Sequence, residues 1–215
     1  MGAGYEAAEL RADELACERG GRLVFSGLSF HLAPAEALVL RGPNGSGKTS
    51  LLRLIAGLLR PAAGRILWGG QNVGSEPEAH RARLHYVAHQ DAVKAALSVA
   101  ENSAFWARYR GGREPCAHAL AHFGLNRLAA IPARYLSAGQ RRRLALCRLI
   151  AISAPLWLLD EPHLTLDAEG RAALLAAIAE HRAQGGLVVM AAHGESGLAD
   201  ARTLELDRFA PAEAA

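Results

Sequence analysis

The chain has 215 residues, enough for one good-sized domain or one domain carrying a small inserted subdomain. Apolar residues make up 51% and charged residues 21%, the balance of a globular protein, and a net charge of +3 with scattered arginines lacks the basic face of a nucleic-acid binder. Three widely spaced cysteines, Cys17, Cys116 and Cys147, form no CxxC pair, which argues for a reducing compartment and against a disulfide framework.

In chain order, residues 1–11 read as a loose end rich in alanine and glutamate, without the apolar stretch of a secretory signal. Residues 15–32 suit strands, with Leu28, Phe30 and Leu32 alternating with polar or small neighbours. "ALVL" at 37–40 is a continuous apolar run, as in a buried parallel strand. A Gly-rich loop follows, then a helical pattern through Leu51, Leu52, Ile55, Leu58 and Leu59 that Pro61 should stop. "RILWGG" and "LHYVAHQ" read as two more strands. Residues 91–131 read as helical with an interruption at "RGGREP", and residues 137–152 as a second helical stretch. "LWLLDEP" is a buried strand, residues 168–182 a helix with Gly185 past its end, and "LVVMAAH" and "TLEL" the last strands. The longest apolar run, 144–159, is broken by Arg148 and Pro155 and does not suit a bilayer span. Strands alternating with helices predict an α/β fold with a mostly parallel central sheet.

"GPNGSGKTS" fits G-x-x-x-x-G-K-S/T from Gly42 to Thr49, between a strand and a helix. The run Gly42, Pro43, Asn44, Gly45, Ser46, Gly47, Lys48, Thr49 and Ser50 is therefore expected to wrap phosphates with backbone N–H groups at a helix start. Lys48 should reach the β- and γ-phosphates, and Thr49 should ligate Mg²⁺. At the end of "LWLLDE", Asp160 is placed to hold Mg²⁺ and Glu161 to orient and deprotonate an attacking water. In "YLSAGQRRR", Ser137 and Gln140 form a capping box, and Gly139 leaves room for an anion at that helix start.

These three stretches together resemble the ATP-binding cassette (ABC) ATPases. "LSAGQ" is similar to their LSGGQ signature, with Ala138 in place of a glycine. The resemblance runs from about Leu15 to Leu206 and implies one P-loop ATPase domain over 12–209, with a nucleotide-binding core at 12–90 and 154–209. It further implies an N-terminal antiparallel β part, an inserted helical subdomain at 91–153 and a tail at 210–215. Gln90 would sense Mg²⁺ and the attacking water, His193 would contact the γ-phosphate, and "LTLD" would be a loop ending at Asp167. The family forms head-to-tail homodimers, so ATP would lie between one copy's phosphate loop and Ser137, Gly139 and Gln140 of the other. Arg19 stands where an adenine-stacking aromatic is usual, and a guanidinium can stack on a base. Ala35 replaces a usual glycine before Glu36.

Within the family, "HQDAVKAALSVAENSAFW", "CERGGRLVFSGLSFHL" and "GPNGSGKTSLLRLIAGLLRPAAGRILW" resemble the ATPase subunit of the cytochrome c maturation haem exporter. The implied partners are an integral membrane permease subunit and associated haem-handling membrane proteins, at the cytoplasmic face of a bacterial inner membrane. The alternative is the ATPase subunit of another small exporter, for a drug or a lipid. A soluble ABC protein acting on ribosomes or DNA usually carries two cassettes or a long coiled-coil insertion, and neither is seen. Lys94 reads either as a solvated charge or as part of a partner surface. Ser103, in place of a usual leucine, would lie inside that surface. Phe105, Trp106 and Tyr109 read as core residues of the helical subdomain. His118 and His122, near Cys116, share i, i+4 spacing, as do His85 and His89, but direct haem ligation is not expected. His163 has no assigned role.

Overall fold

The computed structural model describes residues 5, 8–109 and 117–211. The chain divides into two compact units, one of 1–86, 155–161 and 181–215, the other of 87–154 and 162–180.

In the first unit, β1 (Leu10–Arg19) and β2 (Arg22–Leu32) form an antiparallel hairpin, and β1 also pairs antiparallel with β3's successor β4 (Ala63–Trp68), β3 being Ala37–Arg41. With β5 (Gln71–Asn72) they make a four-stranded antiparallel sheet in the order β2-β1-β4-β5. β1 starts at Leu10, inside the stretch read as a loose end, because the Leu10 side chain is fully buried and the residue pairs with both Leu32 and Trp68.

The second sheet of this unit has the order β6-β7-β8-β3-β9, with β6 (Leu84–Val87), β7 (Leu156–Asp160), β8 (Leu187–Ala191) and β9 (Arg202–Glu205). β7 and β8, β8 and β3, and β3 and β9 all pair in parallel. Every residue of β7 and β8 is buried, which explains why these strands read as unbroken apolar runs. The register sets Leu40, Ala191 and Asp160 abreast. The chain therefore leaves β3, β7 and β8 at one sheet edge, the carboxyl edge where α/β sheets bind ligands.

Helix α1 (Lys48–Ile55) follows β3 and buries Leu51, Leu52, Leu54 and Ile55, each worth about 1.5–3 kcal/mol. It ends at Ile55 rather than running to Pro61. Gly57 turns left-handed there (φ 67°), and Leu58 is left 53% exposed. The short α2 (Pro77–Ala82) starts on a proline and buries His80, whose Nε2 lies 2.7 Å from the Ile55 carbonyl. His181 is stacked on Trp157 (centroids 3.9 Å apart), and burial pushes its imidazole down to about 4.

The second unit holds α3 (Val99–Tyr109), α4 (Ala117–His122), α5 (Ala138–Ala151) and most of α6 (Ala168–Ala183). Residues 91–98, read as helical, are an irregular loop with a turn at 95–96. Their backbone is committed elsewhere: Leu97 O accepts from Ala133 N, Ala95 O from Arg134 N, and Ser98 bridges Pro132. The interruption at "RGGREP", with Cys116, lies outside the described residues. α3 buries Val99, Asn102, Ser103, Ala104 and Ala107. Its aromatics are not core, contrary to the sequence reading. Phe105, Trp106 and Tyr109 form a cluster at the rim of the core, with Phe105 and Trp106 half-buried and Tyr109 72% exposed. Lys94 sits 4.5 Å over Phe105, and the Arg148 guanidinium 5.2 Å over Trp106. Ser103 points inward and is buried, so it is no part of a surface. No helix among the described residues is long and apolar enough to cross a membrane.

Candidate active site

The loop after β3 is shaped by glycines. Gly42, Gly45 and Gly47 all have positive φ, and Pro43, Asn44 and Gly45 are exposed. At Gly47 the demand is double: φ is 99°, and an added Cβ would sit 2.8 Å from Val24 Cγ1 and 2.9 Å from Phe25 Cδ1. Gly47 is also the N-cap of α1, so no side chain caps the helix start. Its first-turn amides are those an anion can use. Lys48 is buried, and its Nζ donates to the carbonyls of Gly42 (2.7 Å) and Pro43 (2.9 Å). The Ser46 hydroxyl is buried and makes no hydrogen bond among the described residues. Ser50, next along α1, sets its hydroxyl against the Cys17 thiol, which burial pushes up. Arg19 stands exposed two residues beyond Cys17 at the end of β1.

Across the same sheet edge, Thr49 Oγ1 donates to Asp160, 2.9 Å from Oδ2 and 3.2 Å from Oδ1. Asp160 is 3% exposed, a buried carboxylate at the last position of β7. A hydroxyl and a carboxylate this close form a hard oxygen donor set, which suits Mg²⁺. Tyr86 of β6 lies beside Asp160 and Arg53, and its phenol is pushed up by burial and by the Asp160 charge. Nothing in the sequence reading pointed to Tyr86.

Glu161 adopts a left-handed backbone (φ 49°), a strain of about 1–2 kcal/mol for a residue with a Cβ. Its N–H donates to the Ala191 carbonyl (3.0 Å), which holds the turn out of β7. Its Oε1 lies 3.0 Å from Nε2 of His193, which follows β8. The first unit thus brings together Lys48, Thr49, Asp160, Glu161 and His193 with the loop 42–47.

The second unit carries the remaining expected residues. Gln90 is exposed in the bend after β6. At the start of α5, Ser137 Oγ accepts from Gln140 N (3.2 Å) and Ser137 N donates to Gln140 Oε1 (2.9 Å), the expected capping box. Gly139 cannot carry a side chain without a shift, since its Cβ would meet the Thr165 carbonyl at 2.9 Å. Ala138 is exposed beside it. Asp167 caps α6 by accepting from Gly170 N at 3.0 Å. His122 Nε2 lies 2.7 Å from the Ala173 carbonyl, and His118 is exposed.

Arg142 is the residue the sequence reading missed in this unit. It is 3% exposed, and its guanidinium donates to Ala88 O (2.9 Å), Asp91 Oδ1 (3.0 Å) and Pro162 O (3.1 Å). Its position three and four residues before the buried Ala145 and Leu146 is the signal that places it on the inner face of α5.

The family model described as ABC transporter matches residues 25–164. The chain is 57% identical over 200 residues to the cytochrome c biogenesis ATP-binding export protein CcmA of Rhodospirillum rubrum, covering 93% of this chain and 86% of that protein. It is 55% identical over 208 residues to CcmA of Paramagnetospirillum magneticum, covering 94% and 95%. A solved structure, a putative ABC transporter ATP-binding protein from Pyrococcus furiosus, matches with a TM-score of 0.82 at 20% identity, over 94% of this chain and 100% of that one. At that identity the likeness concerns the fold. The chain therefore belongs to the ABC transporter ATP-binding family, in the group named cytochrome c biogenesis ATP-binding export protein CcmA.

Proposed function

We propose that the chain is the ATP-hydrolysing subunit of a membrane ABC complex of cytochrome c maturation, driving haem handling and the release of a haem chaperone. The observation that carries the enzymatic reading is the meeting of the phosphate loop, the Thr49–Asp160 pair and the Glu161–His193 pair at one sheet edge. The pathway is supported by the 57% identity to a protein named for cytochrome c biogenesis.

In this reading the backbone N–H groups of 44–50 and the Lys48 ammonium bind the ATP phosphates, with Lys48 exchanging the Gly42 and Pro43 carbonyls for phosphate oxygens. Thr49 and Asp160 would hold Mg²⁺, which when bound would neutralise charge on the ATP phosphates, and Gln90 is the further Mg²⁺-sensing residue that the family resemblance implies. Glu161 accepts a proton from the water whose oxygen attacks the γ-phosphorus, and the bond to the β-bridging oxygen breaks to leave ADP. Gln90 orients that water, and His193 exchanges its Glu161 contact for the γ-phosphate, to which it donates. Most of the rate comes from this fixed arrangement of charge. Arg19 stacks on adenine. Ser137, Gly139 and Gln140 of a second copy close the site in a head-to-tail homodimer.

We take 12–209 as a single ATPase domain with 91–153 as its helical subdomain. The face of α3 that carries Phe105 and Tyr109, with Lys94 over Phe105, receives a CcmB-like permease. The assembly then sits at the cytoplasmic face of the bacterial inner membrane.

The test is capture of a tagged Glu161→Gln variant from gently solubilised membranes with Mg-ATP, followed by mass spectrometry. A small integral membrane subunit together with haem-handling proteins is the expected result. A different permease would assign the chain to another exporter, for a drug or a lipid. Ribosomal or DNA-repair proteins without a membrane subunit would overturn the reading.

A further inference from the structure

We infer that Arg142 is a positioning residue for ATP hydrolysis: from the helix that starts at Ser137, it fixes the loop carrying Gln90 and the residue that follows Glu161. The guanidinium is a planar fork of five donors, and here it serves acceptors from two separate segments, Ala88 and Asp91 in one and Pro162 in the other. Ala88 and Asp91 flank Gln90 on either side. Pro162 is bonded directly to Glu161.

The far end of the same loop is fixed as well. Asn102 Oδ1 accepts from Lys94 N (2.8 Å), and its Nδ2 donates to the carbonyls of Lys94 (3.0 Å), Leu97 (3.2 Å) and Ser98 (3.0 Å). Residues 88–98 are thus held by Arg142 at one end and by Asn102 at the other, while Gln90 itself stays exposed between the two Arg142 anchors. A buried ion pair such as Arg142–Asp91 adds little net stability over an apolar pair, so its effect here is to set geometry. A shift of α5 would pass through one rigid side chain to both Gln90 and the Glu161–Pro162 turn. A misplacement of about 1 Å in such an arrangement can cost on the order of 100-fold in rate.

The inference rests on the proposed role of Gln90 in orienting the attacking water, and a double-mutant cycle separates the two. Single-turnover ATP hydrolysis, affinity for a fluorescent ATP analogue and melting temperature would be measured on the full-length chain, Gln90→Ala, Arg142→Gln and the double variant. Arg142→Gln should slow hydrolysis about tenfold with affinity changed less than about twofold, a split that general unfolding would not give. In the Gln90→Ala background, Arg142→Gln should slow hydrolysis by clearly less than it does alone, the part that remains being carried by its bond to Pro162. Asp91→Ala, which removes one anchor and keeps the arginine, should slow hydrolysis by a smaller factor and replaces Arg142→Gln in the cycle if that variant does not fold. If the two losses multiply, or if Arg142→Gln or its stand-in hydrolyses at the wild-type rate, Arg142 does not act through Gln90. If Gln90→Ala is itself fully active, the reading of Gln90 fails first and this inference falls with it.

Discussion

The first turn of α1 follows Gly47 and has no side-chain cap, whereas the first turn of α5 is closed on both sides by Ser137 and Gln140. Both segments are Gly-containing helix starts, and both were expected to face phosphate. Their chemistry differs. At α1 the backbone is bent into shape by Gly42, Gly45 and Gly47, and the amides are left for a ligand's oxygens. At α5 the capping box uses the Gln140 and Ser137 amides within the chain. What remains there for a ligand is the Ser137 hydroxyl hydrogen and the Ala138 and Gly139 amides. The α1 start is thus a site completed by its ligand. The α5 start keeps its shape without one, which suits the role proposed for it in closing the site of a second copy.

Substitutions at the two starts should separate these roles. Gly47→Ala is expected to have the largest effect. It forces a Cβ against Val24 and Phe25 at a left-handed position, and ATP-analogue affinity should fall by at least about 100-fold, or roughly 2.7 kcal/mol. Lys48→Ala removes a charged donor but leaves the loop path, so its loss should be about 10- to 100-fold, in line with 1.5–3 kcal/mol for a charge-assisted bond. Unchanged affinity in either would contradict the phosphate role. Ser137→Ala should behave oppositely: a loss of about 1 kcal/mol in denaturant unfolding, with ATP-analogue affinity of the isolated chain unaltered. A fall in that affinity would erase the contrast between the two helix starts.

Ala35 gives the smallest and reverse-signed effect. Like Gly47 it is left-handed (φ 66°), but it keeps its methyl. Its carbonyl is held by Arg182 Nε at 2.7 Å, and Arg182 is fixed by Asp200 through two bonds of 2.9 and 2.7 Å. Ala35→Gly should stabilise the protein by about 0.5–1 kcal/mol, the left-handed cost of about 1–2 kcal/mol less the added chain entropy of glycine. A lowered melting temperature would show that the strain is not there.

The same contrast explains what the sequence revealed. Features written in backbone chemistry were legible: the apolar runs of β3, β7 and β8, the Gly-rich loop, and the S-x-x-Q cap. Features written in single side-chain clamps were not. Asn102 pulls residues 94–98 out of any helix, and nothing in the periodicity of that stretch records it. The aromatics of α3 have helical spacing, but spacing does not say which face is buried, and the small Ser103, Ala104 and Ala107 take the inner face. Arg142 was hidden in a run of three arginines that reads as a solvated surface. Its burial follows from backbone carbonyls at Ala88 and Pro162 that are distant in sequence. The early end of α1 was readable in Gly57, but the leucines beyond it continued the apolar pattern.

The measurement that tests the account most directly is ATP binding and hydrolysis by the Glu161→Gln variant, side by side. Glutamine keeps the shape of the side chain and removes its basicity. ATP-analogue affinity should stay within about twofold of wild type, and hydrolysis should slow by at least about 100-fold, the size of a lost general base. Hydrolysis at the wild-type rate would mean that Glu161, despite its strained position beside His193, is not the base.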